Sequence, residues 1–113
     1  MILVTDKVVL AGTENASTVS VGRAPATIRD GAVRLANGTL AGSIISMLDG
    51  VRVMVEKAGV NVGDAALMAA TNPTRLIGAN DRGLIQVGAR ADLILLSPSL
   101  ELKSVFIAGR EIS

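Results

Sequence analysis

The sequence predicts a mixed α/β fold, with strand and helix patterning in successive blocks. Three observations predict it. An unbroken apolar run at residues 2–5 suits a strand covered on both faces. From Ser43 the apolar spacing becomes that of a helix face, and beyond residue 90 strand-like runs return. Half of the 113 residues are hydrophobic, yet Phe106 is the sole aromatic, so the core must be built from Val, Ile, Leu, Met and Ala.

Each block can be justified in order. After the strand at 2–5, "AGTENAST" at 11–18 is polar and turn-like. Residues 19–42 carry β-prone pieces broken by Gly22, Pro25, Asp30-Gly31 and Asn37-Gly38, which predicts two or three short strands joined by hairpins. Ile44, Leu48, Val51, Val55 and Ala58 then fall at helical spacing, giving a helix over 44–58 with Ser43 as its N-cap and Gly59 just past its end. A second helix starts at Asn61 and is expected to stop near Asn72, because Pro73 disfavours helical geometry in the residue before it. Pro73 opens a short helical turn that Gly78 closes. Strands follow at 91–97, stopped by Pro98, and at 102–108, before a reversal at Gly109-Arg110 into a brief last strand.

Composition excludes several function classes. Eleven basic and ten acidic residues are scattered singly, so no basic stripe offers a nucleic-acid surface. The longest apolar runs fall far short of the roughly 18 to 20 residues a membrane span needs. With no histidine and no cysteine, the chain by itself carries neither an imidazole-based metal site nor Ser-His or Cys-His machinery. The lack of cysteine also accords with a reducing cytoplasm.

Two features could carry chemistry. Asp6 follows the apolar run at a strand's carboxyl end, where active sites of parallel α/β folds lie. An acid there equally serves to cap a turn, and position alone leaves both readings open. "NGTLAGS" at 37–43 brackets three residues with glycines, which lets a backbone approach a ligand, but it also fits an ordinary turn before a helix. Asp92, just inside a turn, is read as an acid that bonds the backbone, and Arg75 and Arg90 as solvated.

Taken together, "LVTD", "GTLAGS", "ALMAATNPTRLIG", "DRGLIQVGARADLILL" and "VFIAGREI" resemble, in order and spacing, the C-terminal end of N-acetylglucosamine-6-phosphate deacetylases of the amidohydrolase superfamily. The resemblance covers essentially the whole chain. It implies the C-terminal part of a metal-dependent (β/α)8 barrel together with strands of a small β-sandwich. Residues 1–78 would supply the last barrel strand and helices, with a small strand insertion at about 16–36. Residues 79–113 would supply the sandwich strands.

The same resemblance implies that Asp6 matches the family's catalytic aspartate, which takes a proton from metal-bound water and delivers it to the departing amine. Leu40, Ala41 and Gly42 match the loop that lines the substrate pocket. The family's divalent metal, of the zinc or iron type, takes its ligands upstream of this strand, so no metal ligand is assigned to this chain. The expected substrate is an amino-sugar phosphate. The expected partner is the missing barrel segment or further copies of the chain, and the expected state of the chain alone is inactive. Lys7 departs from the small residue usual after the aspartate, and Asn72 from the residue usual before Pro73. The competing expectations are a fragment of a dihydroorotase-, hydantoinase- or deaminase-like amidohydrolase, which "GTLAGS" argues against, and a non-catalytic oligomerising module.

Overall fold

A computed structural model of the chain describes residues 1–8, 18–22 and 24–113. The turn expected over 11–18 falls almost wholly outside them. Two compact units are formed, one by Val4–Gly50 and one by Met1–Leu3 with Val51–Ser113.

The first unit is an antiparallel meander of four strands, β1 (Thr18–Val21), β2 (Ala24–Arg29), β3 (Ala32–Leu35) and β4 (Leu40–Ser43), hydrogen-bonded in sequence order. Its hairpins follow the turn chemistry of the sequence. Asp30 and Gly31 both take positive φ, at 51° and 75°, so they close the two-residue β2–β3 loop with the twist its strands require. The β3–β4 loop is held by the Asn37 side chain, which accepts from Thr39 N–H at 3.0 Å. Strand alternation puts Val19, Ala26 and Val33 on one face, where they form a buried cluster. Val8, Val21, Ile28, Leu35, Ala41 and Ile44 pack around it.

Two expectations are corrected in this unit. "LAGS" forms strand β4, not a turn before a helix, because its backbone finds a partner in β3. Ile2–Thr5 belong to no strand: the segment's one ladder contact is a parallel bridge between Lys7 and Ser43. A strand exists only through its pairing, and an apolar run does not supply the neighbour.

Helix α1 (Met47–Glu56) starts three residues later than expected, and its N-cap is Ser46. Ser46 Oγ accepts from Asp49 N–H at 3.1 Å, while Asp49 Oδ2 accepts from Ser46 N–H at 2.8 Å. This reciprocal box satisfies two otherwise free donors, and Ser43 is thereby released for strand pairing. Gly59, at φ +69°, ends the helix as expected.

In the second unit Asn61 caps α2 (Val62–Ala66) by accepting from Asp64 N–H at 2.9 Å. The helix then does not stop. It widens to a π-helical turn over Leu67–Thr71 and continues into α3 (Asn72–Leu76), with Asn72 itself helical at φ −67° and ψ −45°. The wide turn absorbs Pro73, whose ring would otherwise clash with the preceding turn. Asn72 N–H bonds back to Leu67, five residues earlier, and Pro73 has no N–H, so the Met68 carbonyl is released. It accepts instead from Leu3 N–H at 2.9 Å. Gly78, at φ +73°, closes α3, with Ala79 N–H reaching Thr74 O at 2.8 Å.

The C-terminal strands β5 (Leu93–Leu96), β6 (Leu102–Ile107) and β7 (Arg110–Glu111) make an antiparallel sheet in that order. The last reversal is at Ala108-Gly109, both at positive φ, one residue earlier than expected. Asp92 secures it as a backbone-bonding acid. Its Oδ1 accepts from Ala108 N–H at 2.8 Å, and Arg90 Nε approaches the carboxylate at 2.8 Å.

The Ala108 N–H, and then the Arg90 guanidinium, hold the Asp92 carboxyl below its ordinary value of 3.8. A group depressed in the fold stabilises it above its unfolded pKa and ceases to do so as pH falls through the folded value. The thermal midpoint is therefore expected to fall on acidification below about pH 4, and to fall less steeply in Asp92→Asn. Parallel pH–stability curves for the two proteins would remove Asp92 as a contributor.

Candidate active site

The site is built where the segment after residue 4 meets the end of β4, within the first unit. Val33 pairs with Gly42 while Arg34 pairs with Leu40, so Ala41 is the additional residue of a β-bulge. Bulges bend a strand and re-aim what it carries. Here the bulge turns Ala41 into the core beside Val33 and leaves Leu40 exposed.

Gly42 lies under Asp6. A Cβ on Gly42 would stand 2.8 Å from the Asp6 carbonyl oxygen, 2.7 Å from Val8 Cγ1 and 3.7 Å from Asp6 Oδ2. Asp6 itself takes φ +49°, a left-handed conformation that aspartate tolerates better than most residues. Its side chain is exposed, while its carbonyl accepts from Ser43 N–H at 2.9 Å. Val8 N–H returns a bond to Ser43 O at 2.9 Å, and Ser43 Oγ donates to the Thr5 carbonyl. Lys7 is exposed.

The structure thus brings Asp6 and Gly42 together, with Ala41 partly buried against the core cluster and Leu40 on the solvent side. Ser43 was not among the expected site residues, because it reads as a helix cap. The Ser46-x-x-Asp49 box, legible in the sequence, was the signal that the cap lies elsewhere. Arg90, an expected solvated cation, is paired to Asp92.

The geometry offers one carboxylate beside a backbone ledge. Among the described residues no group of three or more Asp and Glu side chains gathers to hold a metal ion. By themselves the described residues therefore supply no complete ligand set for a metal ion. No helix among them is long and apolar enough to cross a membrane.

The sequence model described as the amidohydrolase family matches residues 1–112. The chain belongs to the amidohydrolase family. That family is generally metal-dependent. The amidohydrolase chain is 33% identical over 111 residues to a protein of Escherichia coli K12 named a putative N-acetylgalactosamine-6-phosphate deacetylase, covering 97% of this chain and 66% of that one. It is 34% identical over 103 residues to the N-acetylglucosamine-6-phosphate deacetylase of Bacillus subtilis, covering 90% of this chain and 26% of the other. The crystal structure of the N-acetylglucosamine-6-phosphate deacetylase of Thermotoga maritima superposes with a TM-score of 0.88 at 32% identity, over 98% of this chain and 30% of that one. The Pasteurella multocida deacetylase gives a TM-score of 0.91 at 26% identity, over 99% and 30%. This amidohydrolase thus spans less than two thirds of the relatives it matches, and its α/β fold is that of the corresponding part of those enzymes.

Proposed function

We propose that this amidohydrolase chain supplies the proton-transferring carboxylate and one wall of the substrate site to an enzyme that hydrolyses the N-acetyl group of N-acetylglucosamine 6-phosphate. The observation that carries the reading is Asp6, exposed at the tip of the segment and set against the Leu40–Ala41–Gly42 bulge, in a chain whose relatives bear deacetylase names. Water adds to the acetyl carbonyl carbon as the Asp6 carboxylate takes its proton. The same proton passes to the amine nitrogen as the C–N bond breaks, giving glucosamine 6-phosphate and acetate. Leu40, exposed on the solvent side of the bulge, is the one of the three residues open to the sugar. A divalent cation of the zinc or iron type takes its ligands from polypeptide outside this chain.

Residues 1–78 are read as the end of a (β/α)8 barrel and 79–113 as sandwich strands. Both are completed by the rest of the barrel or by further copies. The unusually exposed Leu76, Ile77, Ile85 and Val87, each at least 75% accessible, support completion by more polypeptide.

A second sugar has specific support, because two relatives from Escherichia coli carry the galactosamine name. The test is acetate release by the assembly containing this chain, with N-acetylglucosamine 6-phosphate and N-acetylgalactosamine 6-phosphate side by side. Release from the gluco sugar is expected, and the ratio of kcat/KM values identifies the preferred epimer. An assembly that opens a cyclic amide such as dihydroorotate or hydantoin, and releases no acetate from either sugar, would overturn the reading.

A further inference from the structure

The conformation of Asp6 is defined by two peptide planes, one on each side of its Cα, and both are held by a single residue. The plane before Asp6 contains the Thr5 carbonyl, which accepts from Ser43 Oγ. The plane after it contains the Asp6 carbonyl, which accepts from Ser43 N–H at 2.9 Å. Ser43 O then receives Val8 N–H at 2.9 Å, so the chain is gripped again two residues on. Ser43 is itself fixed on its other side by pairing with Ala32 of β3.

We propose that Ser43 is the positioning residue for Asp6, its hydroxyl and its amide together setting φ and ψ there and so the direction of the carboxylate. This rests on the reading of Asp6 as the proton-transferring group. The division of labour within Ser43 makes the inference specific. Any residue but proline supplies the N–H and C=O that bind Asp6 and Val8, and these also form the parallel bridge. Only a hydroxyl at this position reaches the Thr5 carbonyl. Without it the first peptide plane is free to rotate, and Asp6 has an incentive to do so, because φ +49° is a sparsely populated conformation for a residue with a side chain. The carboxylate then spreads over several directions while its chemical character is unchanged. A proton acceptor misplaced by about 1 Å costs up to about 100-fold in rate without altering how the substrate binds.

Valine and threonine at position 43 separate hydroxyl from shape, since the two are nearly the same size. In the assembly that contains this chain, Ser43→Val and Ser43→Ala are expected to lower kcat on the acetylated sugar phosphate at least tenfold with KM unchanged. Ser43→Thr is expected to recover most of the loss. On the chain itself, the HN–Hα coupling and Cα shift of Asp6 are expected to show a left-handed residue in wild type and Ser43→Thr, and conformational averaging in Ser43→Val. If Ser43→Val keeps both the left-handed signature and the wild-type kcat while Asp6→Asn is inactive, Ser43 is not a positioning residue. If instead Asp6→Asn keeps full activity, the catalytic reading of Asp6 fails, and the inference about what Ser43 positions fails with it. The coupling data on Ser43→Val distinguish that outcome from the first.

Discussion

Asparagine in place of Asp6 is expected to lower the rate of acetate release by about 100- to 10,000-fold, the contribution typical of a positioned acid or base. The substitution is nearly isosteric and replaces a charged proton acceptor with a neutral amide that cannot take the proton. Asparagine also tolerates left-handed backbone as well as aspartate does, so φ +49° at this position is retained. The bonds that hold the residue run from Ser43, its hydroxyl to the Thr5 carbonyl and its N–H to the Asp6 carbonyl at 2.9 Å, and do not involve the carboxylate. Folding should therefore be unaffected, and the thermal midpoint should match that of the wild-type protein. Loss of rate with an unchanged midpoint is the result that proton transfer requires. An undiminished rate would remove Asp6 from the chemistry.

Alanine at Gly42 is expected to destabilise the first unit by roughly 3 kcal/mol. Two causes act together. Gly42 has φ +134°, a conformation that side-chain-bearing residues rarely adopt. The new methyl would also stand 2.8 Å from the Asp6 carbonyl oxygen and 2.7 Å from Val8 Cγ1. Val8 belongs to the packed core, and the Asp6 carbonyl is tied to Ser43, so neither can retreat without breaking a contact of the site. Gly38→Ala is the control: φ there is +84°, and nothing lies within 4 Å of the added methyl. Denaturant unfolding should rank Gly42→Ala well below Gly38→Ala. Equal losses would mean that backbone strain alone, without the close approach to Asp6, sets the effect. A strand that comes this close to a backbone carbonyl needs glycine, which is why the bulge carries one.

Much of this was legible in the sequence wherever the cause is local. Asp30-Gly31 specified its own turn, because few residue pairs accept positive φ twice in succession. Asn61 and Gly78 marked helix ends through groups they bond within a few residues. Asp92 was read as an acid that bonds the backbone, and it does so across the last reversal. Ser43 was misread because a serine before a helical pattern satisfies the capping rule, and the competing Ser46-x-x-Asp49 box outweighed it. The stop expected before Pro73 failed for a similar reason. A π turn relieves the proline clash, and the Met68 carbonyl that this releases finds a donor in the N–H of Leu3, far away in the chain.

The sequence by itself determined the turns, the caps, the make-up of an aliphatic core, and the presence of an acid at position 6 followed by a glycine-flanked "TLA". These are properties of a residue and its nearest neighbours, where sterics and one or two hydrogen bonds decide. Tertiary structure alone decided that "LAGS" is a bulged strand, that Gly42 passes beneath Asp6, and that one serine grips both sides of the acid. The last two depend on contacts between residues more than thirty positions apart. A backbone donor or acceptor pairs with whatever the fold brings within 3 Å, and no local pattern encodes that partner.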